Sequence, residues 1–293
     1  MRNSLSVVLP IHKIPESKGT SPLELWSASA SKETEIIFSV DCTGNCTQLL
    51  EWIRHLDTKN SQIVMGKFGN PGETRNLGLK KINSDWVAFV DSDDYFHSDI
   101  ASRAIATYGK ESDVIVCGYE VEDTNRQSAI RSFIPLTILD LFPELGFWRI
   151  LYRSELIKSL NFPPLRMGED QVFFSRVLAL NPRISFYESI IYTYYDNSPS
   201  QTSREKSSLD ELGKSIEQMN KELTISRANL GFRKSMILRL KISEITNKKI
   251  SIWDGVSYLF RNFYLLRKNW ILMLRCLTRL VRWNLRRNRL DAE

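Results

Sequence analysis

The chain has 293 residues, a net charge of +6, four cysteines and three histidines; its length accommodates one large α/β domain with an appendage, or two small domains. No apolar run approaches the ~20 residues of a membrane span, the cysteines lack zinc-ligand spacing, and three histidines are too few for a histidine-rich metal site. With no low-complexity block and no fixed-period repeat, the composition is that of an ordinary globular protein.

Residues 5–11 read as a strand closed by Pro10; the run is too short for the core of a secretory leader, and none is expected. A polar loop over 12–20 leads to a helix at 23–30, a strand at 35–40 ending on Asp41, and a helix at 47–56. Cys42 and Cys46 stand between that strand and helix and are expected as reduced structural thiols of a cytosolic protein. A strand at 61–65 precedes Gly69-Asn70-Pro71-Gly72-Glu73-Thr74-Arg75-Asn76-Leu77-Gly78, which opens a helix at 73–82. Strands at 86–90 and 113–117 enclose a helix at 99–108 with Ser98 as its cap. This alternation implies βαβ units and a mostly parallel, Rossmann-like sheet flanked by helices.

After residue 118 the rhythm changes. Residues 119–165, with four prolines, read as irregular; a helix at 169–180 and one or two strands at 184–195 follow. A break at 196–200 separates a domain at 1–200, with halves at 1–118 and 119–200, from a helical extension at 201–293.

The chemistry centres on Trp86-Val87-Ala88-Phe89-Val90 followed by Asp91-Ser92-Asp93-Asp94. An unbroken apolar run suits a strand buried on both faces, and open α/β sheets bind ligands beyond the carboxyl ends of their strands. Three carboxylates in four positions repel one another unless a cation lies among them; Mg²⁺ or Mn²⁺ bridging to substrate phosphates is one solution. A plain polar turn explains the same residues. Glu169 and Asp170, in turn, suit the first turn of any helix.

Taken together and in order, the Pro10 strand, the Asp41 strand, the Arg75-Asn76 helix, the Asp91–Asp94 cluster and Met167-Gly168-Glu169-Asp170 resemble the family 2 glycosyltransferases. The resemblance spans about residues 4–200 and implies a donor-binding half at 1–118 and an acceptor half at 119–200. It implies a GT-A fold and inverting transfer from a nucleotide sugar, UDP-linked rather than GDP-linked, to a glycan or lipid-linked glycan in bacterial surface polysaccharide synthesis. It also implies a Mn²⁺ or Mg²⁺ cofactor on Asp93, with Asp91 at the ion or the donor ribose and Asp94 supporting the loop. Asp170 matches the base, with Glu169 beside it. Pro10, Asp41, Arg75, Asn76 and Trp148 match donor-side positions, with Gly72 relaxing the backbone and His97 read as structural. The family often pairs two acids where Val40-Asp41 stands, and often has a base after its paired tyrosines, where Tyr194-Tyr195 are followed by Asp196. Two alternatives are a sugar nucleotidyltransferase, though Pro10-Ile11-His12-Lys13 is no glycine-rich phosphate loop, and a degenerate module holding a partner transferase.

The charge belongs to the tail. Residues 255–290 hold nine bases and no acid, so the remainder is slightly acidic. On a helix, Arg275, Arg279, Arg282, Arg286 and Arg289 fall within roughly 80° of one another, opposite leucines and among aromatics. This pattern suits an anionic membrane surface and a peripheral location at its cytoplasmic face. A tail packed on its own domain or on a second copy fits as well; nucleic acid is not expected, because no binding motif accompanies the bases.

Overall fold

The computed structural model describes residues 4–15, 20–122, 131–141, 145–195, 206–247 and Ser257. The basic tail at 258–293 and the break at 196–200 lie outside them.

The first half alternates strand and helix: β1 (Leu5–Ile11), α1 (Pro22–Ser29), β2 (Thr34–Asp41), α2 (Thr47–His55), β3 (Ser61–Gly66), α3 (Pro71–Leu79) and β4 (Trp86–Phe89). A short β5 (Tyr95–Phe96), α4 (Ser98–Tyr108) and β6 (Val114–Glu122) follow. Then come β7 (Arg131–Phe133), 3₁₀ turns at Ile138–Leu141 and Phe147–Arg149, β8 (Ile150–Arg153), α5 (Ser154–Ile157), α6 (Glu169–Ala179) and β9 (Ile184–Tyr195). Helices α7 (Lys206–Ile225) and α8 (Leu230–Asn247) complete the described chain.

Among the described residues, nine strands join one sheet in the order β3-β2-β1-β4-β8-β6-β9-β5, with β7 beside β6. The segment β3 to β4 is parallel throughout. Beyond β4 the sheet is mixed: the short β8 runs antiparallel to both β4 and β6, while β6 and β9 pair in parallel. Strand β8 is four residues long and sits in the stretch read as irregular, so its local pattern is too short to announce a central strand. Strand β9 is continuous, with an irregular register against β6 near Gly118.

The apolar runs alternate between two cores. Val87 and Phe89 face one, with Val8; Trp86, Ala88 and Val90 face the other, with Val7 and Leu9. Because both faces are covered, the strands show no polar alternation. Helix α1 starts with a capping box between Ser21 and Glu24. Asn70 caps α3 and Pro71 occupies its first turn. Helix α4 departs from expectation: His97 is its N-cap, without a side-chain bond, and Ser98 is already helical.

Two further expectations change. Cys42 and Cys46 are joined in a disulfide, their Cα atoms 5.4 Å apart, because the turn into α2 folds residues four apart back toward each other. The extension at 201–293 is no separate appendage over its described part. Leu212 and Met219 of α7 and Phe232, Met236 and Leu240 of α8 share a core with Val172 and Phe173 of α6.

Candidate active site

The strand ends bring Pro10, Asp41 and Asp91 to one edge, since β1 pairs with both β2 and β4. The acid cluster leaves β4 there. Asp93 is solvent-exposed, yet protein surrounds most of it, the combination expected in a cleft. Burial lifts its carboxyl to about 6, the neighbouring Asp91 adds to the rise, and Lys13 opposes it. Asp94 is 1% exposed. It accepts bonds from the Tyr192 hydroxyl at 2.6 Å and the Tyr195 amide at 2.9 Å, while the Asp91 amide donates to that same hydroxyl at 3.3 Å. Burial raises Asp94 well above the usual carboxylate range, with Asp93 and Asp91 adding to it. It therefore anchors the loop to β9. His97 pairs with Thr193 at 3.1 Å and packs edge-on to Tyr95, as a structural histidine does.

Arg75 joins the distant parts. Its guanidinium donates to Glu169 at 2.7 Å and to Asp91 at 2.9 Å. The Phe147 and Phe162 rings lie 5.1 and 5.7 Å from it. Burial opposes the charge on Arg75, but Asp91 and Glu169 outweigh it and raise its pKa. At 5% exposure, Arg75 holds two carboxylates. The Asn76 side-chain amide bonds both the carbonyl and the amide of Phe162, at 2.9 and 2.7 Å. Gly72 does allow a close approach, but to the chain rather than to a ligand. A Cβ there would lie 2.2 Å from the Pro163 carbonyl.

Glu169 and Asp170 open α6 behind Gly168, which sits at φ 80°. Burial raises the Glu169 carboxyl to about 7 against the pull of Arg75. Asp170 is half-buried and is also raised by burial, with Arg239 and then Arg75 opposing. Asp41 uses both oxygens on the backbone, accepting from Phe68 at 3.0 Å and Gly69 at 2.7 Å, so its side chain shapes the turn before α3. Trp148 is half-buried and stacks on Tyr192 at 4.2 Å and Tyr194 at 6.0 Å, with Tyr119 edge-on. A small depression lined by Phe68, Glu73, Asn76, Leu77, Lys80 and Asn161 includes none of the site carboxylates.

Two cations near the carboxylates were not singled out from the sequence as site residues: Lys13, which acts on Asp93, and Arg239, which acts on Asp170. Lys13 follows the Pro10 strand directly, a position that signals the mouth of the site. Arg239 lies in the helical extension, beyond the motifs that carry the resemblance.

Residues 24–171 match the family model for glycosyl transferase family 2, just over half of the chain. The chain belongs to this family. Asp41, Arg75, Asp91, Asp93, Trp148, Glu169 and Asp170 all fall inside the matched segment. Among curated relatives, EpsH of Bacillus subtilis, a glycosyltransferase by name, is 29% identical over 166 residues, 51% of this chain and 48% of that one. The poly(ribitol-phosphate) beta-N-acetylglucosaminyltransferase TarS of Staphylococcus aureus is 32% identical over 175 residues, 55% of this chain and 30% of TarS. The chain thus spans half or less of these two relatives. Residues 1–349 of TarS, solved with UDP, share the fold at a TM-score of 0.57 and 22% identity, covering 83% of this chain and 72% of that structure. A mannosyltransferase of Pyrobaculum calidifontis, solved with GDP-Man and Mn²⁺, aligns at a TM-score of 0.56 and 11% identity over 97% of this chain and 88% of its own. The fold is that of the GT-A glycosyltransferases.

Proposed function

We propose that the chain transfers a sugar, with inversion, from a UDP-sugar to a hydroxyl of a glycan or lipid-linked glycan in bacterial surface polysaccharide synthesis. The double ion pair of Arg75 carries this reading, because it draws the strand-end acids and the start of α6 to one place. TarS, whose name places it on poly(ribitol phosphate) and which was solved with UDP and with UDP-GlcNAc, supports the donor and the acceptor class.

A divalent cation fits the residues present. Asp93 reaches solvent beside Asp91, and a bound cation would relieve their repulsion. Among the described residues no group of three acidic, histidine or cysteine side chains is placed to hold a metal by itself; Mg²⁺ in such enzymes is bound by one or two carboxylates together with substrate phosphates. Asp93 and Asp91 would hold the ion, which when bound stabilises charge on the departing diphosphate. Asp170 takes the proton of the attacking hydroxyl, and its burial makes it a stronger proton acceptor than an exposed aspartate. Glu169, tied to Arg75, fixes the first turn of α6. Trp148, backed by Tyr192, gives the sugar a rigid aromatic wall.

Asp93→Asn tests the reading. Calorimetric UDP affinity in Mn²⁺ should fall about tenfold or more, or ~1.4 kcal/mol, with circular dichroism unchanged. Wild-type UDP affinity in the variant would sink the assignment.

The tail gives the same reading a location. We infer that residues 255–290 attach the protein to an anionic membrane at its cytoplasmic face, each engaged base contributing about 1 kcal/mol. Among the described residues no helix is long and apolar enough to cross a membrane. In vesicle flotation the full chain should bind anionic liposomes and release with rising salt, and a chain ending near Ile252 should not bind. Equal binding to neutral vesicles, or no effect of shortening, would point instead to a tail packed on protein.

A further inference from the structure

Helix α7 grips the turn from which the proposed base emerges. Residues 166–168 belong to no strand or helix, so their backbone groups must find partners elsewhere. Two of them find α7: the Arg166 amide donates to the Glu211 carboxylate, and the Met167 carbonyl accepts from Ser215 Oγ at 2.8 Å. Ser215 is fully buried, and its hydroxyl also stands 3.0 Å from the Glu211 carbonyl, the partner a serine inside a helix takes by default. It has one proton to give, and the nearer acceptor is in the turn. Gly168 comes next, at φ 80°, as the N-cap of α6. A Cβ on it would stand 2.7 Å from Ser215 Oγ and 3.0 Å from Ser215 Cβ, so α7 lies directly against the bare backbone of this residue.

The other side of the turn is held as well. The Arg166 guanidinium donates to the Gly69 carbonyl at 3.2 Å, and the Gly69 amide donates to Asp41 at 2.7 Å. The turn therefore bridges α7 and the segment that follows β3. The first bond of α6 runs from the Val172 amide to the Gly168 carbonyl at 3.1 Å, and Asp170 lies inside the ring that this bond closes. Where residues 166–168 are held, Asp170 is held with them. We propose that Ser215 is a positioning residue for Asp170, its hydroxyl fixing the Met167 carbonyl and so the direction in which α6 starts. A helix beyond the family-matched segment at 24–171 thus completes the catalytic site. The proposal rests on Asp170 being the base.

The test uses the full chain. UDP release from UDP-GlcNAc, with poly(ribitol phosphate) as acceptor and Mn²⁺ present, is expressed per UDP-binding site counted by calorimetry. Ser215→Ala removes the hydroxyl, and Ser215→Cys leaves only a weak donor in its place. Either should lower kcat ~10-fold with the KM for UDP-GlcNAc unchanged, because the donor still binds while the base is misplaced. Amide exchange over 166–172, followed by mass spectrometry, should quicken in the same variants. Met219→Ala, one turn along α7, empties part of the core without removing a hydrogen bond; it should lose stability in urea and keep its kcat per site. On an Asp170→Asn background Ser215→Ala should add little, since the group it positions is gone. A normal kcat per site in both Ser215 variants, or unchanged exchange over 166–172, overturns the proposal. An equal loss in Met219→Ala, or a full further loss on the Asp170→Asn background, overturns it as well. A wild-type rate in Asp170→Asn itself removes the base assignment and the proposal with it, whereas a normal rate in the Ser215 variants beside an inactive Asp170→Asn removes the proposal alone.

Discussion

Asp170→Asn should lower turnover by ~10²–10⁴-fold while leaving donor affinity almost unchanged. The asymmetry follows from position. In the proposed reaction the acid cluster after β4 serves the donor, whereas Asp170 stands across Arg75 from it, at the start of α6. A group that removes the acceptor's proton contributes to the transition state and little to the resting donor complex. Isothermal titration with UDP, alongside initial rates with a poly(ribitol phosphate) acceptor, separates the two quantities. Glu169→Gln is the control. If it is the more damaging change to turnover in a folded protein, or if Asp170→Asn stays active, the base is another group.

The largest loss of stability should come from Arg75→Met. Removing one partner of a buried ion pair costs about 3–5 kcal/mol, because the remaining charge stays buried and uncompensated. Here two carboxylates lose their partner, one on a side chain 9% exposed and the other 34% exposed, so Glu169 carries most of the penalty. Urea denaturation should show that loss, and Arg75→Met/Glu169→Gln should recover part of it by removing the stranded charge. A change under about 1 kcal/mol in the single variant would mean that water reaches the pair and screens it. Methionine keeps apolar contact with Phe147 and Phe162, so the effect reports charge more than volume.

What the sequence makes legible here is local. The unbroken run before Asp91 predicts a strand buried on both faces and an acid cluster at its end, and β4 has both. Asn70 and Pro71 mark the start of α3 correctly. Partners far along the chain are another matter. Arg75 looks like a ligand-facing arginine until Glu169, 94 residues away, is seen against it. Asn76 and Asp41 carry polar groups suited to a nucleotide, but backbone amides and carbonyls reach them first. Helix α8 hides its role in a segment rich in lysine and arginine. Its apolar residues Phe232, Met236 and Leu240 recur every four positions, the stripe of a helix docked on a core.

The order of the strands also governs when the site can exist during synthesis. Strands β2, β3 and β4 each pair with a neighbour that precedes them in the chain. The acid cluster is complete in sequence at Asp94, but the Tyr192 hydroxyl that steadies it is made 98 residues later, and β5 must wait for β9. At ~5–20 residues per second, that interval lasts several seconds. During it, the nascent chain has the acids but not the support that sets their geometry. Because β9 follows α6, the donor loop is steadied only after Glu169 and Asp170 have already been made, so the two sides of the reaction centre mature as one unit.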